Sequence, residues 1–225
     1  MIRSAAKSIM TTGIGDQKRL WLPPIVAATV IIAIGGWTNR SVEQAVKSNL
    51  AGQLNALLKA DVAALEYWLK DRRREANAAA RIPKIRDAVT ALTMTAAEAE
   101  STSVTAALLT DPALADLRER MSAFLNSDRT NDFAVVGKDG TILARGEDTA
   151  IGDTNIAKPL QPTLEQVFAG NTVVIPPLPS VLPQLDLDGN LRMGVPVMFI
   201  ASPVRDKGNE VIAVLLMKLD PEREF

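Results

Sequence analysis

The chain has 225 residues, contains neither Cys nor His, and carries a formal net charge of −1. Composition therefore excludes disulfides, thiolate nucleophiles, Cys/His zinc sites and His-based catalytic triads. The near-neutral charge argues against general nucleic-acid binding, which needs a strongly basic surface. We expect no metal, no cofactor and no nucleic-acid partner.

Charge divides the chain into three parts. Residues 1–19 hold four basic side chains and one acidic side chain, residues 20–39 hold no charge, and residues 40–225 are mildly acidic. This pattern predicts a short basic head, an uncharged segment and a mildly acidic body.

The uncharged segment 20–39 predicts a transmembrane helix. Twenty residues form about 30 Å of helix, which matches the hydrocarbon core of a bilayer, and Trp21 and Trp37 lie near its two ends. The positive-inside rule keeps the head in the cytoplasm, so we expect a single-pass inner-membrane protein with residues 40–225 periplasmic or extracellular. A buried core helix and a signal peptide cleaved near Ala33-Ile34-Gly35 are the alternatives.

Residues 41–81 predict one long helix, because they contain no Pro and their apolar residues mostly recur three or four apart. A stripe with Leu50, Leu54 and Leu57 at its centre fits a homodimer seam and packing onto the chain's own domain equally well.

Proline positions set the next boundaries. Pro83 should end the long helix at about Ile82, and a short helix from Lys84 to Leu92 should follow. We group both as one region, 40–92. Residues 93–110 fit a third helix or a loose linker, and Asp111-Pro112 should open another helix that runs to about Asn126.

A sheet is expected from residue 132 onward, within a region spanning 93–225. Two apolar runs flank Lys138-Asp139-Gly140, which predicts a hairpin. The four prolines of 176–183 indicate an extended loop, and the run VIAVLLMKL (211–219), apolar on both faces, indicates a central strand. The predicted fold is α+β, a long helix on a roughly five-stranded, mostly antiparallel sheet.

Five segments together carry a family resemblance. They follow the uncharged segment in chain order: ALEYWLKDRRREA (64–76), RIPKIRDAV (81–89), DFAVVGKDGTILA (132–144), VFAGNTVVIPP (167–177) and ASPVRDKGNEVIAVLLMKLDPEREF (201–225).

Residues 40–225 thereby resemble the membrane-distal part of a double Cache domain, the PAS-like extracellular sensor module of bacterial receptors. The resemblance implies a small-molecule pocket over the sheet and signalling through small movements of the long helix. It also implies a membrane-proximal module, a second transmembrane helix and an output domain, which residues 1–225 do not contain. Either a fragment or a receptor reduced to its sensor fits this pattern.

The candidate ligand-binding residues combine cations with apolar or hydroxyl side chains near the predicted sheet and long helix. An arginine can bind a ligand anion, although Arg145 and Arg205 fit solvated strand ends equally well. Without His or Cys we expect binding and no catalysis, and a non-sensing dimeric envelope scaffold is the alternative function. The candidates are Trp68, Arg73, Arg145, Arg192, Met198, Ser202 and Arg205.

Overall fold

A computed structural model describes residues 16–100, 102–125, 132–185 and 190–219. The chain divides into two units, residues 1–64 and 65–225. Most of the predicted basic head lies outside the described residues.

Helix α1 spans Asp16–Arg81 and belongs partly to each unit. It ends as predicted, because Pro83 forces Ile82 into an extended conformation (φ −63°, ψ 125°). In the described part of the chain, no helix combines the length and the apolarity needed to cross a membrane. Many side chains of the predicted span 20–39 lie outside the described part.

The apolar stripe of α1 is exposed in the isolated chain. Its members retain between 42% and 66% of their accessible surface. The two sequence interpretations of this stripe, a homodimer seam and packing onto the chain's own domain, both stay predictions. The stripe consists of Val46, Leu50, Leu54, Leu57, Leu58, Val62 and Leu65.

Three helices follow in the second unit: α2 (Pro83–Glu98), α3 (Val104–Thr110) and α4 (Pro112–Leu125). Helix α2 is about two turns longer than predicted, and the undecided stretch 93–110 resolves into its end and α3. Asp111 caps α4 as expected, since its Oδ1 accepts from the backbone N–H of Ala113 at 2.8 Å.

A five-stranded antiparallel sheet forms the other layer, in the order β2-β1-β7-β6-β3, and a separate two-stranded ladder joins β4 to β5. The fold is thus α+β, as predicted. The strands are β1 (Phe133–Gly137), β2 (Ile142–Arg145), β3 (Val173–Pro179), β4 (Gln184–Leu185), β5 (Leu191–Arg192), β6 (Pro196–Arg205) and β7 (Val211–Leu219).

Strand β7 is central and covered on both faces, which confirms the interpretation of its apolar run. Leu215 and Met217 join the core beneath α2 and α4, whereas Val214 and Leu216 join a second core beneath α5 (Gln161–Phe168). Alternate residues of one strand therefore serve two different layers.

The proline-rich stretch differs from its prediction. Residues 176–179 continue β3 instead of forming a loop, with a register shift between Ile175 and Leu178. This is possible because β3 is an edge strand with an irregular register, where a proline removes no ladder bond if its missing N–H would face solvent.

One loop approaches the helices closely. Gly152 has φ +83°, and a β-carbon placed there would lie 2.2 Å from Thr105 Oγ1 on α3. Only glycine fits this position without displacement of α3.

Candidate functional site

A cavity of about 340 Å³ lies on the sheet face that carries α5. Its walls come from the sheet, from the 3₁₀ turn Lys158–Leu160 and from the segment that joins β3 to β4. Apolar side chains form most of the wall, among them Leu160, Leu178, Leu182, Val197, Phe199 and Leu216.

An ion pair lies at one wall of this cavity. Arg145, a residue only 7% exposed, donates from Nη2 to Asp132 Oδ2. Its Nη1 donates to the carbonyl oxygen and to Oγ1 of Thr149, at 3.3 and 3.1 Å. Asp132 Oδ1 also accepts from the backbone N–H of Phe133 at 2.9 Å. Both charges therefore have partners from the protein itself, as buried charges require.

Helix α4 is connected to the same wall through Arg118. Its Nε donates to the backbone carbonyl of Arg145 at 2.7 Å, and its Nη2 lies 2.8 Å from Asp148 Oδ1. The cavity wall and the helix layer are thus joined by a charge-assisted hydrogen bond.

Three further polar side chains line the cavity. Lys218 Nζ donates to Gln184 Oε1 at 2.6 Å. Ser180 is 7% exposed, and its Oγ has no hydrogen-bond partner among the described residues. Its backbone is fixed, because its N–H donates to Val195 and its carbonyl accepts from Gly194.

Of the seven sequence-predicted residues, Arg145 lines the cavity. It is buried and paired, so the alternative of a solvated strand-end charge is wrong. Trp68 and Met198 instead pack against the core beneath the helices. Ser202 is fully buried, with Oγ 3.1 Å from Thr172 Oγ1.

The other three arginines also lie outside the cavity wall. Arg73 and Arg192 are exposed. Arg205, at the end of β6, donates to the carbonyl oxygen of Asn209 at 2.9 Å. The structure therefore does not bring the predicted set together at one place.

Sequence reasoning missed Asp132, Ser180, Gln184 and Lys218. The sequence pattern could have drawn attention to Lys218, because it is the single charged residue within the apolar run of β7. The other three lie at strand ends or in loops, where no periodicity marks a residue.

A second depression of about 490 Å³ surrounds the hairpin turn between β1 and β2. Its charged groups face solvent, as shown by Lys138, which is about half exposed and pairs with Glu210 at 2.5 Å. It holds no buried polar group comparable with Arg145 or Ser180, so we assign the site to the 340 Å³ cavity.

Metal binding has no support within the described ranges. No group of three or more carboxylates lies close enough there to hold an ion. The cavity wall supplies one carboxylate, Asp132, and this carboxylate is already paired.

No protein-family profile matches the sequence, and no curated protein does. Among solved structures, the chain is similar to the sensor domain of the V. cholerae histidine kinase DctB (18% identity, TM-score 0.43, covering 79% of this chain and 57% of that one). It is also similar to an extracellular ligand-binding receptor from Desulfohalobium retbaense (16% identity, TM-score 0.33, covering 68% of this chain and 24% of that one). A third similar structure is the periplasmic domain of V. cholerae LuxQ (14% identity, TM-score 0.29, covering 66% of this chain and 62% of that one). The chain spans less than two thirds of each of these structures.

Proposed function

We propose that the chain is the extracytoplasmic small-molecule sensor part of a membrane-anchored bacterial signal-transduction receptor, acting by binding and not by catalysis. The observation that carries the proposal is the cavity on one face of the sheet, with helices packed on the other face. A cavity of this size lined by apolar residues and a few buried polar groups is the usual form of a small-molecule site. The double Cache resemblance of residues 40–225 points the same way.

Anchoring is a separate part of the proposal and rests on the sequence. Residues 20–39 carry no charge and follow a basic head, which favours an inner-membrane helix with residues 40–225 outside the cytoplasm. Alkaline phosphatase fused after Phe225 should be active, since that enzyme matures only outside the cytoplasm. An inactive fusion that accumulates at normal levels would reverse the topology.

Signalling needs a ligand that prefers one protein conformation. A ligand shifts an equilibrium only by its differential affinity for the two states. The contact from Arg118 to the Arg145 carbonyl supplies a route by which a change at the cavity wall would reach α4.

Thermal-shift screening of the full chain against small metabolites tests the sensor role. A ligand at 100 times its dissociation constant stabilises by about 2.7 kcal/mol, which raises the melting temperature by roughly 5–10 °C for a protein of this size. Leu178→Trp, which fills the cavity, should abolish the shift, whereas Leu191→Trp on the exposed β5 should retain it. The absence of any stabilising compound would count against the sensor, as would an undiminished response of Leu178→Trp.

A dimeric envelope scaffold without a ligand is the second candidate, and the exposed stripe of α1 favours it. Contiguous exposed apolar surface usually marks an interaction site. A homodimer through this helix is compatible with either function. Leu54→Glu with Leu57→Glu should turn a dimer into a monomer in analytical ultracentrifugation. Oligomeric state together with the ligand screen separates the two, because the scaffold predicts a dimer with no thermal shift.

A further inference from the structure

The floor of the 340 Å³ cavity is almost closed to solvent. Its sheet residues Phe133, Ile142, Val197 and Leu216 retain only 2–4% of their accessible surface. A ligand that contacts these side chains needs more access than that. One wall of the cavity must therefore move to admit it, as lids do in many binding sites.

Among the described residues, two walls lie outside the five-stranded sheet, and they differ in how firmly they are held. In the 3₁₀ turn Lys158–Leu160, Leu160 is buried and joins the core beneath α5. The other wall is a strap, residues 180–185, in which Val181 is 45% exposed. The strap contains β4, which pairs with β5 in a ladder separate from the sheet. Segments with little buried apolar surface open at the lowest cost, so the strap is the wall that can move.

The strap leaves the sheet at a weak point in the ladder. The pairing of β3 with β6 ends at Pro179 opposite Pro196, and neither residue has an N–H to donate. Just beyond, the Ser180 N–H donates to the Val195 carbonyl at 2.9 Å, and the Gly194 N–H donates to the Ser180 carbonyl at 3.1 Å. Gly194 has φ +76°, and a β-carbon there would meet nothing within 4 Å. This position therefore has the conformational freedom and the space that a hinge needs.

The far end of the strap is attached to the central strand. Lys218 of β7 lies at the cavity wall, and its Nζ donates to Gln184 Oε1 at 2.6 Å. A hydrogen bond with one charged partner is roughly twice as strong as a neutral one. Backbone bonds thus hold the strap at its base, and a side-chain bond to the sheet holds it at its far end.

We propose, on the basis of the sensor function above, that the strap is the movable cover through which a ligand enters the cavity. Ser180 and Gly194 form its hinge, and the bond from Lys218 to Gln184 is its latch. The closed strap shields the cavity floor, and the strength of the latch sets how often the strap opens.

Alkylation of a single introduced cysteine tests this cover on the full chain, which has no cysteine of its own. In Val197→Cys the thiol lies on the cavity floor. In Val204→Cys it lies on the other face of β6, in the core beneath the helices. When the strap closes faster than iodoacetamide reacts, the labelling rate follows the population of the open form.

Gln184→Met removes the acceptor of the latch and keeps the length of the side chain. We expect this change to accelerate labelling of Val197→Cys roughly tenfold, the scale of one charge-assisted hydrogen bond, and to leave labelling of Val204→Cys unchanged. Gln166→Met, at an exposed position of α5, is the matched control and should change neither rate.

Hydrogen exchange gives a second readout that needs no cysteine. In Gln184→Met, the amides of Ser180 and Gly194 at the hinge should exchange roughly tenfold faster than in the parent chain, while the amides of β7 keep their rates. Unchanged exchange at both hinge amides would contradict the latch.

Distinct outcomes refute the cover and the sensor function. Equal acceleration of labelling in both cysteine variants would show general destabilisation and refute the cover, as would unchanged labelling of Val197→Cys. Either result alongside a thermal shift from a metabolite leaves the sensor function intact. Selective acceleration in Val197→Cys, with no metabolite raising the melting temperature, would instead refute the sensor and keep the strap as a moving wall.

Discussion

Arg145→Met removes one partner of a buried ion pair and should destabilise the second unit strongly. Arg145 is 7% exposed, whereas the side chain of Asp132 retains 21% of its surface and also accepts from Phe133 N–H. Breaking a fully buried pair costs about 3–5 kcal/mol. The contacts with Thr149 are lost as well, which adds to the cost, but water reaches Asp132 and compensates its charge, so we expect the lower end of this range, about 3 kcal/mol.

Native-state hydrogen exchange of β1 and β2 amides in the full chain measures this change where it acts. A loss of about 3 kcal/mol accelerates exchange through unfolding by roughly 100-fold, at 1.4 kcal/mol per factor of ten. Asp132→Asn and the double variant complete a cycle, and the double variant should be about 1–2 kcal/mol more stable than the sum of the single effects predicts. Exchange in Arg145→Met within threefold of the parent chain would refute the buried pair.

Four further substitutions, in three tests, examine other parts of the fold. Gly152→Ala should cost about 2–4 kcal/mol, because its β-carbon would clash with α3. Gly140→Ala is also at positive φ, but its β-carbon would meet only the Thr154 carbonyl oxygen at an ordinary 3.7 Å, so it should cost about 1–2 kcal/mol. Equal melting temperatures for the two variants would contradict the clash. Asp111→Ala should lower the free energy of unfolding in urea by about 1–2 kcal/mol, because α4 loses its N-terminal cap and the Thr95 hydroxyl loses its acceptor. An unchanged urea midpoint would exclude the cap. Hydrogen bonding from Arg120 lowers the pKa of Asp116 below its ordinary 3.8. This pair therefore stabilises the fold above pH 3.8, and its contribution is lost as the pH falls through the lower pKa of the folded state. Asp116→Asn should remove this acid-side dependence from melting temperatures measured across a pH series, and a pH profile identical to that of the parent chain would argue against the pair.

The sequence was informative where one residue type dictates local geometry. Pro83 sets the end of α1 through its effect on Ile82, Asp111 supplies a cap, and Lys138-Asp139-Gly140 forms a turn between two strands. Each depends on neighbours only a few residues away. The extent of β3 could not be foreseen, because its prolines are tolerated only at a sheet edge, and strand order is a property of the whole fold.

The site was less predictable, because alternation shows which strand residues share a face but not what covers that face. Met198 and Ser202 share a face of β6, and the helices cover it. The cavity is instead lined by Val197 and Phe199, which have the opposite parity. The sequence placed Arg145 near the predicted sheet and left a solvated strand end equally open. Its pairing with Asp132, 13 residues earlier, depends on strand register.

Arg145 occupies the position at which an occupied cavity would influence the helices. Its guanidinium is held by Asp132 at the wall, and its backbone carbonyl accepts from Arg118 of α4. The second contact is a charge-assisted hydrogen bond of 2.7 Å, so a displacement of β2 would break it unless α4 moved as well. A ligand in the cavity would exert its effect by filling space beside Arg145. The coupling would then scale with ligand volume more than with headgroup, since close-packed interiors transmit displacements and tolerate few voids.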